Sequence, residues 1–156
     1  MSTSQATYQD AELVLKLYDL RREKVMREAR NFFATFMPSS FDELASVMFA
    51  FDKQENAYLR QVLSYWEMVA SLIVHGTLNA ALAQDTQTEM LFVYSRIQPF
   101  LKELRQKFDS PEFLQNLEKV MEGTAEARQR LAHQQKRMAE FAKMMQAKTA
   151  KREAAA

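Results

Sequence analysis

The sequence contains no cysteine, which excludes disulfides, a thiol nucleophile and any thiolate metal site. Glycine occurs twice and proline three times in 156 residues, where an average glycine usage of about 7% would give about eleven. So little punctuation leaves few places for β-hairpins. It suits a chain of helices, which the abundant Leu, Met, Ala, Glu, Gln, Lys and Arg favour. Histidine also occurs only twice, at His75 and His133. No Glu-x-x-His or His-Glu-x-x-His pair exists, so ferritin-like di-iron and zincin chemistry lack their ligands. Gly76 and Gly123 stand alone, so there is no glycine-rich phosphate loop, and no Gly-x-Ser-x-Gly turn presents a nucleophile. No run of about 18 apolar residues is present, so no membrane span is encoded, and the polar residues 1–10 carry no signal-peptide core. The expectation is a cytoplasmic chain with no cofactor, no metal and no catalytic residue.

Helical periodicity fills the sequence. Leu13, Leu17 and Leu20, continued by Val14, Tyr18, Val25, Ala29, Phe32 and Phe36, predict one long helix over residues 9–36, stopped by Pro38. Ser40 with Glu43 three positions on is a capping box for a short helix over residues 41–49. The widest apolar stripe, from Leu59 through Trp66 to Ile73, predicts a central helix over residues 53–75 that Gly76 terminates. A short helix or turn follows over residues 77–83. Another helix starts near Thr86, is kinked or restarted at Pro99 and runs to Phe108. Ser110 as cap and Pro111 at the first position predict a further helix up to Glu122. Thr124 then caps a last helix toward residue 148, beyond which the Ala/Lys-rich end is expected to fray. The fold class is therefore all-α: an irregular helical bundle of four principal helices plus short helices and a projecting basic C-terminal helix. Two units follow, a helical bundle domain over residues 1–123 and a basic C-terminal helix with a frayed tail over residues 124–156.

Charge divides at the same point. Residues 1–123 carry 13 Lys+Arg and 17 Asp+Glu, a net −4, whereas residues 124–156 carry 8 and 3, a net +5. The apolar stripe of the basic helix is thin, with Leu131, Met138 and Met145 at intervals of seven and Phe141 between. Such a seam is coiled-coil-like and makes Leu131, Met138, Phe141 and Met145 the candidate interaction residues. Nucleic acid is the less favoured partner, since Glu126 and Glu140 interrupt the basic run and Phe141 is its lone aromatic residue.

The sharpest candidate for chemistry is Glu67 with His75 and Glu89. Glu67 stands in the apolar run Tyr65-Trp66-Glu67-Met68-Val69, and a buried carboxylate can serve as an acid or a ligand. The favoured alternative is structural: a carboxylate on the wet edge of its helix or paired with Arg96 or Arg60, and a histidine closing a helix end beside Gly76. The phenylalanines around Pro38, among them Phe36, Phe41, Phe49 and Phe51, suit a core, a ligand pocket or a dimer surface, with core favoured.

Three stretches carry a resemblance: Leu17-Tyr18-Asp19-Leu20-Arg21-Arg22-Glu23 with Met26-Arg27-Glu28-Ala29-Arg30; Tyr65 to Leu72 followed by His75-Gly76; and Ile97-Gln98-Pro99-Phe100-Leu101. In order and spacing, over about residues 12–122, the chain resembles small bacterial proteins of unknown function. The resemblance implies an α-helical prokaryotic protein and carries no catalytic residue onto this chain. The functional expectation is a protein–protein interaction or self-associating module without catalysis, its partner a second copy or another protein met through the C-terminal helix. The alternatives are nucleic-acid or anionic-surface binding through that helix, and a small-ligand binder or enzyme using polar groups near Glu67.

Overall fold

The structure, a computed structural model, describes residues 5–153. Nine α-helices and one 3₁₀ turn make up the described residues, with no strand among them: α1 (Tyr8–Arg22), α2 (Lys24–Thr35), α3 (Phe41–Met48), α4 (Gln54–Val74), α5 (Ala80–Thr86), α6 (Thr88–Ile97), the 3₁₀ turn Gln98–Phe100, α7 (Leu101–Phe108), α8 (Gln115–Glu122) and α9 (Ala125–Glu153). The chain is an all-α bundle. Its centre is α4, which packs on α2, α8, α3 and α6. Trp66, Leu59, Val62, Val69 and Ala70 are wholly buried there. They meet Met26 and Phe33 from α2, Leu44 and Met48 from α3, Val93 and Ile97 from α6, and Leu117 from α8. Gly76 closes α4 as expected. Its φ of +71° lets its N–H and that of Thr77 turn back onto the Ile73 and Leu72 carbonyls at 3.1 and 2.9 Å.

Two expectations are corrected. The single helix over residues 9–36 is two helices broken at Glu23, whose backbone is extended (φ −56°, ψ 144°) and whose carboxylate accepts from the Met26 N–H at 3.1 Å. Glu23 is thus the N-cap of α2. The break resets the helical phase, so Met26, Ala29 and Phe33 are buried while Tyr18, Leu20 and Val25 face outward. The helix expected from Pro111 begins instead at Gln115. The Ser110 N–H is engaged in closing α7, on the Arg105 carbonyl at 3.1 Å. Leu114 takes the left-handed conformation (φ 56°), which no helix can continue through.

Pro99 restarts the chain as the 3₁₀ turn between α6 and α7, and Thr124 caps α9 through the Ala127 N–H at 3.0 Å. Across its 29 residues α9 is about 43 Å long. It packs on α6 and α8, with Ala127 and Leu131 buried at its start. It continues to Glu153, past the end near residue 148 expected from composition; residues 154–156 lie outside the described range.

Candidate functional site

The short helices cannot satisfy their own ends, and polar side chains from neighbouring helices complete them. Asn56, wholly buried on α4, donates to the Val47 and Met48 carbonyls at the end of α3, at 3.1 and 2.6 Å. Asp10 on α1 accepts from the Asn79 N–H at 2.7 Å, at the start of α5. Glu67 does the same for α8. Its Oε1 accepts from the Asn116 N–H (3.0 Å) and side-chain amide (2.8 Å), and its Oε2 from the Leu117 N–H (2.9 Å).

The triad of Glu67, His75 and Glu89 is therefore not assembled. Glu67 is half-buried and fully engaged at α8. His75 is exposed at the end of α4. Glu89, in the first turn of α6, accepts from Arg21 at 2.5 Å and from Arg30 at 2.6 and 2.8 Å. Neither Arg96 nor Arg60 pairs with Glu67: Arg60 donates to Asn56 at 2.9 Å. One carboxylate between two guanidiniums is an ion-pair cluster tying α1 and α2 to α6, with Arg21 also lying over Trp66 at 5.3 Å. Tyr94 donates to Glu122 at 2.6 Å, and burial followed by this bond pushes its phenol far above the ordinary range. The polar groups of the bundle largely satisfy one another. No group of three or more His, Asp or Glu among the described residues could hold a metal ion.

Arg96 differs from the rest. It is 5% exposed, on the last turn of α6. Its Nη1 donates to the carbonyls of Phe33, Ala34 (3.5 Å) and Phe36 (2.7 Å), which completes the C-terminus of α2. Its guanidinium carbon lies 4.3 Å from the Phe92 ring centroid and 5.1 Å from that of Phe33. No carboxylate among the described residues lies within ion-pair distance of it, and burial alone pushes the guanidinium down to about 10. Its Nε is buried with no hydrogen-bond partner.

Arg96 lines two adjoining clefts beneath α9, of about 430 and 240 Å³. The larger lies between α9, the link after α2 and the corner at Pro99. The structure places the four seam residues unequally around them. Leu131 is 5% exposed and belongs to the core. Met138 lines both clefts and receives the Ser95 hydroxyl at 3.0 Å. Phe141 also lines both and is 50% exposed, and Met145 lines the larger at 45%. Met144, outside the expected seam, is 59% exposed. Sequence reasoning named Arg96 only as a partner for Glu67. The usable signal was a single charge within the mostly apolar Leu91-Phe92-Val93-Tyr94-Ser95-Arg96-Ile97.

The sequence profile of a family described as a domain of unknown function (DUF4760) matches residues 6–124. The chain belongs to the DUF4760 family. No curated protein and no solved structure matches it. The resemblance seen in the sequence thus resolves to an uncharacterised family. The DUF4760 match spans α1 to α8 and stops one residue before α9. Arg96, Met37 and Phe100, on one wall of the larger cleft, lie within the match, whereas Met138, Phe141 and Met145, on the other wall, lie beyond it. No helix among the described residues is long and apolar enough to cross a membrane.

Proposed function

We propose that this DUF4760 protein is a non-catalytic interaction module of the bacterial cytoplasm that self-associates through the outer face of α9. The observation that carries this reading is the pair Phe141 and Met144, large apolar side chains half or more exposed on a helix that also bears Lys136, Arg137, Lys143 and Lys148. Apolar groups set among cations suit a contact with an acidic surface. The body before position 124, at net −4 against +5 for the rest, offers that surface on a second copy. Methionine adapts its shape to such a contact. The absence of catalysis is supported by the engagement of Glu67, Glu89 and Glu122 in hydrogen bonds within the fold.

The test is the mass of the full-length chain by light scattering across concentration, beside a Phe141→Glu/Met144→Glu variant. The expected result is a concentration-dependent dimer that the variant abolishes. The dimer should weaken with salt as the screening length falls from about 10 Å at 0.1 M to about 3 Å at 1 M. A chain that stays monomeric at its highest soluble concentration, or a dimer the variant leaves intact, defeats the reading. Deleting everything after Gly123 is the poorer test, because it also strips Leu131 from the core.

A further inference from the structure

We propose that the larger cleft under α9 binds one single-chain carboxylic acid, its carboxylate on the free edge of Arg96 and its alkyl chain along Met37, Phe100, Met138 and Phe141. The site lies beneath α9 within one chain; Phe141 borders both it and the face proposed for self-association, whereas Arg96 and Ala142 belong to the site alone.

A guanidinium removed from water is costly unless something anionic or strongly polar replaces its hydration. Arg96 has carbonyl partners on Nη1 only. Its Nε is buried without a partner, and its hydrogen bonds to the Phe33, Ala34 and Phe36 carbonyls all run from Nη1. The Nε–H and Nη2–H bonds of arginine lie side by side and suit a carboxylate; with Nε closed off from solvent, a carboxylate entering from the cleft meets Nη2 first. Neither cleft that Arg96 lines has an acidic residue in its wall, so nothing within reach competes for that edge. Arg137 on α9 adds a second cation at the smaller cleft, and the local field therefore favours an anion.

The remaining wall selects what carries the anion. Met37, Pro38, Pro99, Phe100, Met138 and Phe141 present hydrocarbon and sulfur, with Ser39, Ser95 and Gln146 as the uncharged polar members of the wall, and about 430 Å³ falls within the roughly 300–1,000 Å³ typical of small-molecule clefts. An alkyl chain leaves no polar group unsatisfied there. A peptide bearing an Asp or Glu would place backbone amides against the same apolar wall, at a desolvation cost. One buried cation fits one monoanionic headgroup.

Calorimetric titration of the full-length protein with decanoate, decanol, acetate and decyltrimethylammonium, all kept below micelle formation, tests the site. Decanoate is expected to bind once per chain and about tenfold or more tighter than decanol, as loss of a charge-assisted bond implies. Acetate and the cationic amphiphile should bind far more weakly still. Ala142→Trp, which fills the cleft from the half-buried face of α9, is expected to remove decanoate binding. Arg96→Gln should bring decanoate down to the level of decanol. Because Arg96 also completes α2, that variant can fail to fold; the ligand series and Ala142→Trp then decide alone. Decanol or the cationic amphiphile binding as tightly as decanoate, acetate matching decanoate, no binding of decanoate, or unchanged binding in Ala142→Trp would each overturn the site.

Discussion

Replacing Glu67 by alanine should expose how far α8 depends on a helix other than itself. The first turn of α8 has no side-chain cap of its own, because Leu114 precedes it. Gln115 and Glu118 find the Glu112 and Leu114 carbonyls at 3.0 and 3.1 Å. The Asn116 and Leu117 amides have Glu67. Removing a capping side chain costs roughly 0.5–2 kcal/mol. Removing a negative charge from a helix N-terminus costs a further 0.3–1 kcal/mol or so. The site is half-buried, so water recovers part of the loss, and Glu67→Ala is expected to destabilise by about 0.8–2.5 kcal/mol. Glu67→Gln keeps one accepting oxygen but loses the charge, and should cost about 1 kcal/mol. Urea unfolding followed by circular dichroism measures both, and an unchanged slope would confirm that stability alone has moved. Amide exchange adds a local readout, with Asn116 and Leu117 expected to lose protection more than the centre of α4. A cost under about 0.5 kcal/mol for Glu67→Ala, the size expected of an ordinary surface substitution, would refute the capping argument.

Trp66 is wholly buried with its indole N–H unpartnered. Trp66→Ala should therefore cost about 3–5 kcal/mol in urea unfolding, and Trp66→Phe clearly less, since it deletes a donor that has no acceptor. Hydrogen bonds from Thr7, then the Asn79 N–H, hold the Asp10 carboxyl below its usual value. Its contribution should be fully present above about pH 4, the unfolded value, and fade as pH falls through the lower folded one, so the stability gap to Asp10→Asn should be level at neutral pH and close in acid. Burial pushes the Tyr65 phenol up to about 12, against the opposing pull of Arg21. The tyrosinate absorbance lost in Tyr65→Phe should therefore appear near that value, and the stability Tyr65 contributes should decline as pH rises past about 10, where the unfolded phenol ionises first.

The elements readable in the sequence were those whose signals are local. The stripe through Trp66 placed α4, Gly76 its end, Ser40 the start of α3 and Thr124 the start of α9. For α3 the geometry adds one detail: the Glu43 carboxylate reaches back to the N–H and hydroxyl of Ser39, at 2.7 and 3.0 Å, rather than to Ser40. What escaped was non-local or conformational. Glutamate is a good helix former, so nothing in its identity marks Glu23 as a break. Only the folded chain brings Glu67 to α8, Asn56 to α3 or Arg96 to α2, across separations of 8 to 63 residues. The interval of seven, with Phe141 between, placed Leu131, Met138 and Met145 on one helix face, but could not tell that Leu131 turns inward. Arg96 illustrates the limit, since its cost depends on burial and on the lack of a carboxylate nearby, both properties of the fold.

The family match stops where α9 begins, and α9 covers a surface that the matched residues alone would leave open. Residues 6–124 on their own would leave a strip of α6 and α8 bare, with Leu91, Phe92, Val120 and Met121 along it. In this chain α9 covers that strip with Ala127, Leu131 and Met138, all supplied by residues after the match. A relative that keeps α6 and α8 but continues with a different sequence must cover the same strip with that sequence or with another chain. Drift in the outward residues of α9 leaves the packing around Trp66 untouched, whereas a change in the strip requires a matching change in whatever lies over it.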